Sequence, residues 1–217
     1  MAGSGFILFL FVIGHLAGNL QIFLGPEAIN RYGHFLQSNP ELIWPARLLL
    51  LLMVGAHIWA AAKLSLENKA ARPVGYAQYQ SVGSSYASRT MLMSGTIIFV
   101  FVVYHILHFT VQVQYINLTG QNFVDFMDPA KRHDIYKMMV VGFNNGWVAG
   151  FYILGMALLC LHLSHGTSSL FQSIGWNNRT YRPVLDNLAR VVAALIFVGY
   201  ASIPLAILLG YGNEQIK

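Results

Sequence analysis

Charged side chains are scarce in this chain of 217 residues. Asp, Glu, Lys and Arg make up 10% of it and hydrophobic residues 56%, whereas a soluble domain carries about 25% charged residues. So few charges could not cover the surface of a soluble protein of this size. The apolar content also excludes a disordered chain, and the single cysteine, Cys160, excludes a disulfide scaffold. The composition therefore predicts a membrane protein.

Acidic and basic residues are nearly absent from five long stretches. Each stretch is long enough to cross a hydrocarbon core as a helix, and none alternates as the strands of a barrel would. Arg47 and Lys63 occur only towards the ends of the second stretch, where such side chains reach the interface. Pro204 lies inside the fifth, where a membrane helix tolerates a kink. We predict an all-α integral membrane protein forming a single domain over 1–217, with helices at 4–24, 42–63, 90–114, 138–165 and 191–211.

No signal peptide is recognisable, because no basic residue precedes the first apolar stretch and no small-residue cleavage site follows it. We therefore expect this stretch to remain as a span. The formal net charge of +5 falls entirely on the side that holds the loops near Ala70 and Asn178. Basic residues favour the cytoplasmic side, so we predict a multi-pass protein of the inner (cytoplasmic) membrane, with its N-terminus in the cytoplasm and its C-terminus outside. The basic residues form no patch that would bind nucleic acid.

Histidines remain where the formal charges are absent. Six of the eight lie in or at the ends of the predicted spans, with no carboxylate among them: His15, His57, His105, His108, His162 and His165. An ionisable residue inside a membrane is by default a functional residue, although a single histidine can also serve as a hydrogen-bonding contact between helices. A haem-free transporter that binds protons or metal through these histidines remains an alternative, but a proton relay normally includes Asp or Glu.

Imidazole is a good ligand for iron and zinc. Structural zinc sites usually contain several cysteines, and this chain has one. A haem held between two imidazoles fits better, because two helices can each present one histidine to opposite faces of a planar ring.

Depth along the predicted helices, at about 1.5 Å per residue, suggests which histidines pair. His15 and His105 each lie about 14 Å from the outer ends of their spans. His57 and His162 lie about 9 Å and 6 Å from the inner ends of theirs, so the two layers differ in height by about 8 Å. We call His15 with His105 the outer pair, and His57 with His162 the inner pair. His108 and His165, each three residues further along, remain alternative ligands or hydrogen-bond donors to the ligands.

The chain resembles the cytochrome b membrane anchor of succinate:quinone oxidoreductase and fumarate reductase, in its single-subunit, five-helix, di-haem form. The resemblance covers nearly the whole chain through the order and spacing of short motifs. These are IGHLAGN at 13–19, PEAIN at 26–30, HF at 34–35, GAH at 55–57, YH at 104–105, HLSHG at 162–166 and GW at 175–176. It implies that the outer pair and the inner pair each bind one haem b, and it favours His162 over His165.

The resemblance also implies partners and a reaction. The subunit would anchor a flavoprotein and an iron–sulfur protein at the cytoplasmic face, and we expect the loops at 67–88 and 166–186 to form the docking surface. It would be the quinone-reactive subunit of the enzyme, with no dicarboxylate site of its own. Electrons would pass through the two haems to or from a membrane quinone, menaquinone by resemblance, near Asn30, Arg31 and His34. A di-haem b subunit of a hydrogenase or formate dehydrogenase is the alternative within this class.

Overall fold

The computed structural model describes residues 1–71, 86–176, 178 and 180–216, and the described part of the chain is helical without strands. Five helical segments are long and apolar enough to cross a membrane: Ala2–Leu24, Pro40–Ala70, Met91–Thr110, Gly146–Ser173 and Arg182–Leu208. The prediction of an all-α membrane protein with five such helices is therefore confirmed.

The eight α-helices are α1 (Ala2–Asn19), α2 (Pro26–Gln37), α3 (Pro40–Ala70), α4 (Tyr86–Arg89), α5 (Met91–His105), α6 (Ile135–Phe143), α7 (Gly146–Ser173) and α8 (Arg182–Leu208) within the described residues. A 3₁₀ segment, Leu20–Leu24, continues α1, and a π-helical turn, Ile106–Thr110, continues α5. We call the end of the bundle that carries α2 and α6 the α2–α6 end, and the opposite end the α4 end.

The fourth predicted span, 138–165, is wrong in its first part, because the chain breaks there into two helices. Residues up to Phe143 belong to α6, and a new helix begins at Gly146. Asn145 produces the break: it is extended, and its side-chain oxygen accepts hydrogen bonds from the backbone N–H groups of Trp147 and Val148 at 3.0 and 3.3 Å. An asparagine that caps a helix in this way starts a new one. The apolar composition of α6 concealed the boundary.

Other helix bounds also differ from the charge-free stretches. Helix α3 continues to Ala70, and α8 begins at Arg182, nine residues before the predicted start. Helices continue beyond the hydrocarbon core, so a charged turn at a helix end does not end the helix. The third span stops at Thr110 instead of reaching 114, and Gln112 follows it with a φ of 60°. A left-handed residue of this kind is incompatible with a continuing helix.

Helix α2 is an element that the search for apolar stretches missed. Pro26 occupies its first turn, directly after Gly25, whose φ of 96° is open to glycine. Asn30, which is buried, joins α2 to α6: its Nδ2 donates to Asp134 Oδ1 at 3.0 Å, and its Oδ1 accepts from the Tyr136 backbone N–H at 2.9 Å. Helix α2 is therefore attached to the bundle by buried polar contacts.

The core lies mainly between α5, α7 and α8, where small residues allow the helices to approach closely. A Cβ built on Gly155 of α7 would lie 2.5 Å from the Phe101 ring of α5, and one on Gly199 of α8 would lie 2.9 Å from Leu16 of α1. The Tyr200 hydroxyl donates to the Val12 backbone oxygen at 2.7 Å. Helix α3 differs from the others, because none of its residues is buried. It packs against α1 and α2 at the edge of the bundle.

Candidate functional site

Histidines from separate helices face each other in two places. The ring centroids of His15 in α1 and His105 in α5 are 5.7 Å apart. Those of His57 in α3 and His162 in α7 are 6.3 Å apart. A metal–imidazole bond is about 2 Å long, so two imidazoles on opposite sides of one metal have centroids about 6 Å apart. The structure therefore brings together both predicted pairs, at the spacing that a shared metal ion requires.

Serine hydroxyls determine the tautomer of both histidines in the inner pair. Ser94 Oγ donates its only proton to the Met91 backbone oxygen at 3.1 Å and lies 3.2 Å from His162 Nδ1. Because that proton is already used, Ser94 can only accept from His162, which must carry its proton on Nδ1. Nε2 of the neutral ring then holds the free lone pair, which is the state that binds a metal.

The same arrangement recurs at the other member of the inner pair. Ser4 Oγ donates to the Met1 backbone oxygen at 2.9 Å and lies 3.4 Å from His57 Nδ1. His57 therefore also presents Nε2 with a lone pair. Glycines leave room for both rings: a Cβ on Gly5 would lie 3.3 Å from His57 Cε1, and one on Gly95 would lie 3.5 Å from His162 Cε1.

A tyrosine takes the place of serine at the outer pair. The hydroxyl of Tyr152, a buried residue of α7, lies 3.4 Å from His105 Nδ1. Aromatic rings enclose the pair: Phe101 stacks on His105 with centroids 6.2 Å apart, and Phe11 stacks on His15 at 5.3 Å. These rings exclude water and restrict the orientation of the imidazoles.

The two pairs occupy separate layers of the bundle. In α7, Tyr152 marks the outer layer and His162 the inner, and these are ten residues, or about 15 Å, apart along the helix. In α5, Ser94 and His105 mark the same layers and give about 16 Å. The separation exceeds the predicted 8 Å because the helices are longer than the charge-free stretches from which the depths were counted.

The two remaining membrane histidines lie outside these pairs. His165 Nε2 lies 3.3 Å from Ser169 Oγ, one turn further along α7, and His165 has no ring contact with another histidine among the described residues. His108 is fully buried in the π-helical turn after α5, and its Nδ1 lies 3.0 Å from the Tyr152 hydroxyl. Its Nε2 has no hydrogen-bond partner in the described part of the chain. Short π-helical turns are frequent at functional sites.

The donor set suits a haem better than a bare metal ion. The described residues contain no group of three or more His, Cys, Asp or Glu side chains that could hold a metal. A zinc site needs three or four protein ligands, whereas a haem supplies its own in-plane nitrogens and needs one or two axial ones. Two opposed imidazoles with free Nε2 atoms, in a largely apolar bundle, therefore fit a bis-histidine haem in each layer.

The three predicted quinone-binding residues have different environments. Asn30 is buried and bonded to α6, as described above, so it faces no cavity. His34 is exposed, with Ser38 Oγ 3.3 Å from its Nε2. Arg31 lines a shallow cavity of about 450 Å³ at the α2–α6 end, together with Gln21, Leu24, Ala28, Tyr32 and Phe35. Only one of the three therefore lies at a cavity, and Tyr32, which the sequence did not single out, lies beside it.

Ion pairs fasten the loop between α5 and α6 to α2. Arg132 bonds to Glu27 of α2, with Nη1 3.1 Å from Oε1, and to Asp128, with Nη2 2.7 Å from Oδ2. The hydrogen bond from Arg132 holds the pKa of the Glu27 carboxyl below its usual value. Burial opposes ionisation of Asp128, but its hydrogen bonds from Arg132 outweigh this and also lower its pKa. Burial lowers the pKa of His133, so this imidazole favours the neutral form.

Hydroxyl partners are what the sequence reasoning missed. Ser4, Ser94 and Tyr152 contact the predicted ligands from other helices, and no pattern along one helix marks such contacts. The predicted docking surface can be followed only in part, because 72–85, 177 and 179 lie outside the described residues. In the second loop, Ser168 Oγ donates to Asp186 Oδ1, which joins the start of α8 to the end of α7.

Comparison with known proteins finds no matching family model, no matching curated protein and no matching solved structure.

Proposed function

We propose that the chain is a di-haem cytochrome b membrane anchor of a succinate dehydrogenase or fumarate reductase, and that it carries electrons between an iron–sulfur subunit and a membrane quinone. The observation that carries this proposal is the pair of opposed histidines in each of two layers, with centroids 5.7 and 6.3 Å apart. The order and spacing of the motifs supply the choice of enzyme.

His15 and His105 would hold one haem b, and His57 and His162 the other. Each haem supplies a one-electron redox centre when bound. The residues of the chain orient the axial imidazoles through hydroxyl contacts, and surround them with apolar side chains that restrict water. The low polarity around a haem and the hydrogen bonds to its ligands are what tune its potential. Successive layers about 15 Å apart divide the path across a hydrocarbon core of about 30 Å.

The two ends of the bundle would face different partners. In the proposed orientation the N-terminus and the α4 end lie in the cytoplasm, where the flavoprotein and iron–sulfur subunits would bind and electrons would reach the inner pair. The α2–α6 end, with the C-terminus, lies outside. This orientation rests on the distribution of basic residues.

The shallow cavity at the α2–α6 end is the best candidate for the quinone site. It combines apolar walls from Leu24 and Phe35 with donors from Arg31, Tyr32 and Gln21. A quinone needs an apolar surface for its ring and hydrogen-bond donors for its carbonyl oxygens. Helix α2, which supplies most of these residues, follows directly on the segment that contains His15. Menaquinone is the expected substrate.

Two other functions make different predictions. A di-haem b subunit of a hydrogenase or formate dehydrogenase would have similar histidine pairs but different partner subunits. A haem-free transporter would use the histidines for protons or metal. The opposed geometry and the fixed Nδ1–H tautomers favour haem, since proton carriers need access to both nitrogens.

The deciding experiment is an optical spectrum of the purified protein. We expect reduced-minus-oxidised bands of b-type haem, with two haems per chain. The protein should also co-purify with a flavoprotein and an iron–sulfur protein that oxidise succinate or reduce fumarate. A protein without b-type bands would refute the proposal, and co-purification with hydrogenase or formate dehydrogenase subunits would replace the enzyme.

A further inference from the structure

The Tyr152 hydroxyl lies between two histidines of the neighbouring helix segment. Its oxygen is 3.0 Å from His108 Nδ1 and 3.4 Å from His105 Nδ1. Tyr152 and His108 are buried, at 6% and 0% relative exposure, so these contacts do not compete with bulk water. A phenol has one proton to donate. It can therefore donate to one histidine and must accept from the other, and the direction of that proton determines both tautomers.

The two possible arrangements differ in what they leave at His105 Nε2. If Tyr152 donates to His108, it accepts from His105 Nδ1–H, and Nε2 of His105 keeps the lone pair that a metal needs. If Tyr152 donates to His105, Nε2 of His105 carries a proton and cannot bind a metal. His108 is thus the competing acceptor that decides the state of its neighbour.

The contacts around His108 favour the first arrangement. O–H donors form shorter hydrogen bonds than N–H donors, and the contact with His108 is the shorter of the two. In this arrangement His108 Nε2, which lacks a partner among the described residues, carries a proton. The rings of Phe109 and Phe123 lie beside His108, with centroids 4.0 and 5.7 Å away. Aromatic faces are negative and tolerate an N–H better than a lone pair.

We propose that Tyr152 and His108 form a positioning relay that holds His105 with its Nε2 lone pair directed for haem binding, an inference that rests on the proposed di-haem function. His108 is not a ligand in this arrangement. It accepts the phenol proton, so that Tyr152 accepts from His105. A hydrogen bond accepted from the distal nitrogen makes an imidazole more basic. The outer haem is therefore held more tightly and its oxidised state is favoured.

The relay is tested with Tyr152→Phe, His108→Leu and the double variant, each purified with its partner subunits. Tyr152→Phe removes the acceptor but leaves His105 free to choose its tautomer. We expect it to retain the outer haem, with a midpoint potential raised by up to the equivalent of a tenfold change in the reduced-to-oxidised ratio, about 59 mV. In His108→Leu the phenol has only His105 to donate to, so it stabilises the wrong tautomer. We expect outer-haem affinity about 10–100-fold lower.

The double variant gives the decisive comparison. Removing the hydroxyl as well should restore outer-haem binding from the level of His108→Leu towards that of Tyr152→Phe. A packing role for these residues predicts the opposite, since two cavities cost more than one. Ser94→Ala is the matched control: it should shift the potential of the inner haem and leave the outer haem unchanged.

Two results would overturn the relay: an unchanged outer-haem midpoint in Tyr152→Phe, or poorer haem binding in the double variant than in His108→Leu. If His108→Leu does not assemble, the Tyr152→Phe midpoint and the low-spin ferric resonance of the outer haem still decide. A wild-type protein without haem would refute the proposed function itself, whereas a haem-loaded wild type with an unresponsive outer midpoint refutes the relay alone.

Discussion

Replacing His162 and His165 separately tests the assignment of the inner pair. The two residues are three positions apart in α7, so their rings are offset by about 4.5 Å along the helix. His162 is 6.3 Å from His57 between ring centroids, close to the 6 Å or so expected for two imidazoles on one metal. His165 contacts Ser169. An offset of one helical turn is about twice a metal–nitrogen bond length, so His165 cannot replace His162 without a shift of α7 against α3.

We therefore expect His162→Ala to halve the haem content per chain and His165→Ala to leave it unchanged. The assay is a haem determination after extraction, divided by the amount of polypeptide, together with a low-temperature spectrum that resolves the two haems. The component that remains in His162→Ala should have the spectrum and potential of the outer haem. If His165→Ala halves the haem content while His162→Ala does not, the inner pair is wrongly assigned. Loss of both haems in His162→Ala, with the protein still folded, would refute two independent layers.

Three further predictions follow from packing and charge. Gly95→Leu should abolish binding of the inner haem while Gly95→Ala retains it, measured as haem content, because a Cβ there makes only ordinary contact at 3.5 Å with the facing imidazole. The pKa of Asp128 is lowered in the folded protein, so its contribution to stability should be complete above the ordinary carboxyl pKa and disappear as the pH falls below about 4; Arg132→Gln should remove this part of the pH dependence of thermal unfolding in detergent. Gly155→Ala would place a Cβ 2.5 Å from the Phe101 ring, and should lower the free energy of unfolding by about 1–3 kcal/mol, with haem content as the control for folding.

Predictability differed between the helices and the contacts that join them. The absence of charge located five membrane helices, because a hydrocarbon core excludes formal charge over a defined length. The same signal could not find α2, which carries Glu27 and Arg31, or the break between α6 and α7, where polar Asn145 is enclosed by apolar sequence. Both are set by local hydrogen bonds, which hydropathy does not register.

The site shows a similar division. Counting residues along each helix paired His15 with His105 and His57 with His162, and the structure brings the same residues together, because straight helices convert sequence separation into depth. It could not find Tyr152 or Ser94, since their contacts depend on how two helices rotate about their axes. Rotation is determined by close packing, such as Phe101 against Gly155, and is not encoded in the hydrophobicity of either helix.

The position of α3 has a consequence for assembly. This helix has no buried residue and packs against α1 and α2, yet it carries His57. A haem bound between His57 and His162 would act as a cross-link between this loosely packed helix and the central helix α7. Cofactor binding would then contribute directly to folding, as metal binding does in small metalloproteins. In cells starved of haem, α3 would be the first membrane helix to separate from the bundle, and quality-control proteases would distinguish empty chains from loaded ones there.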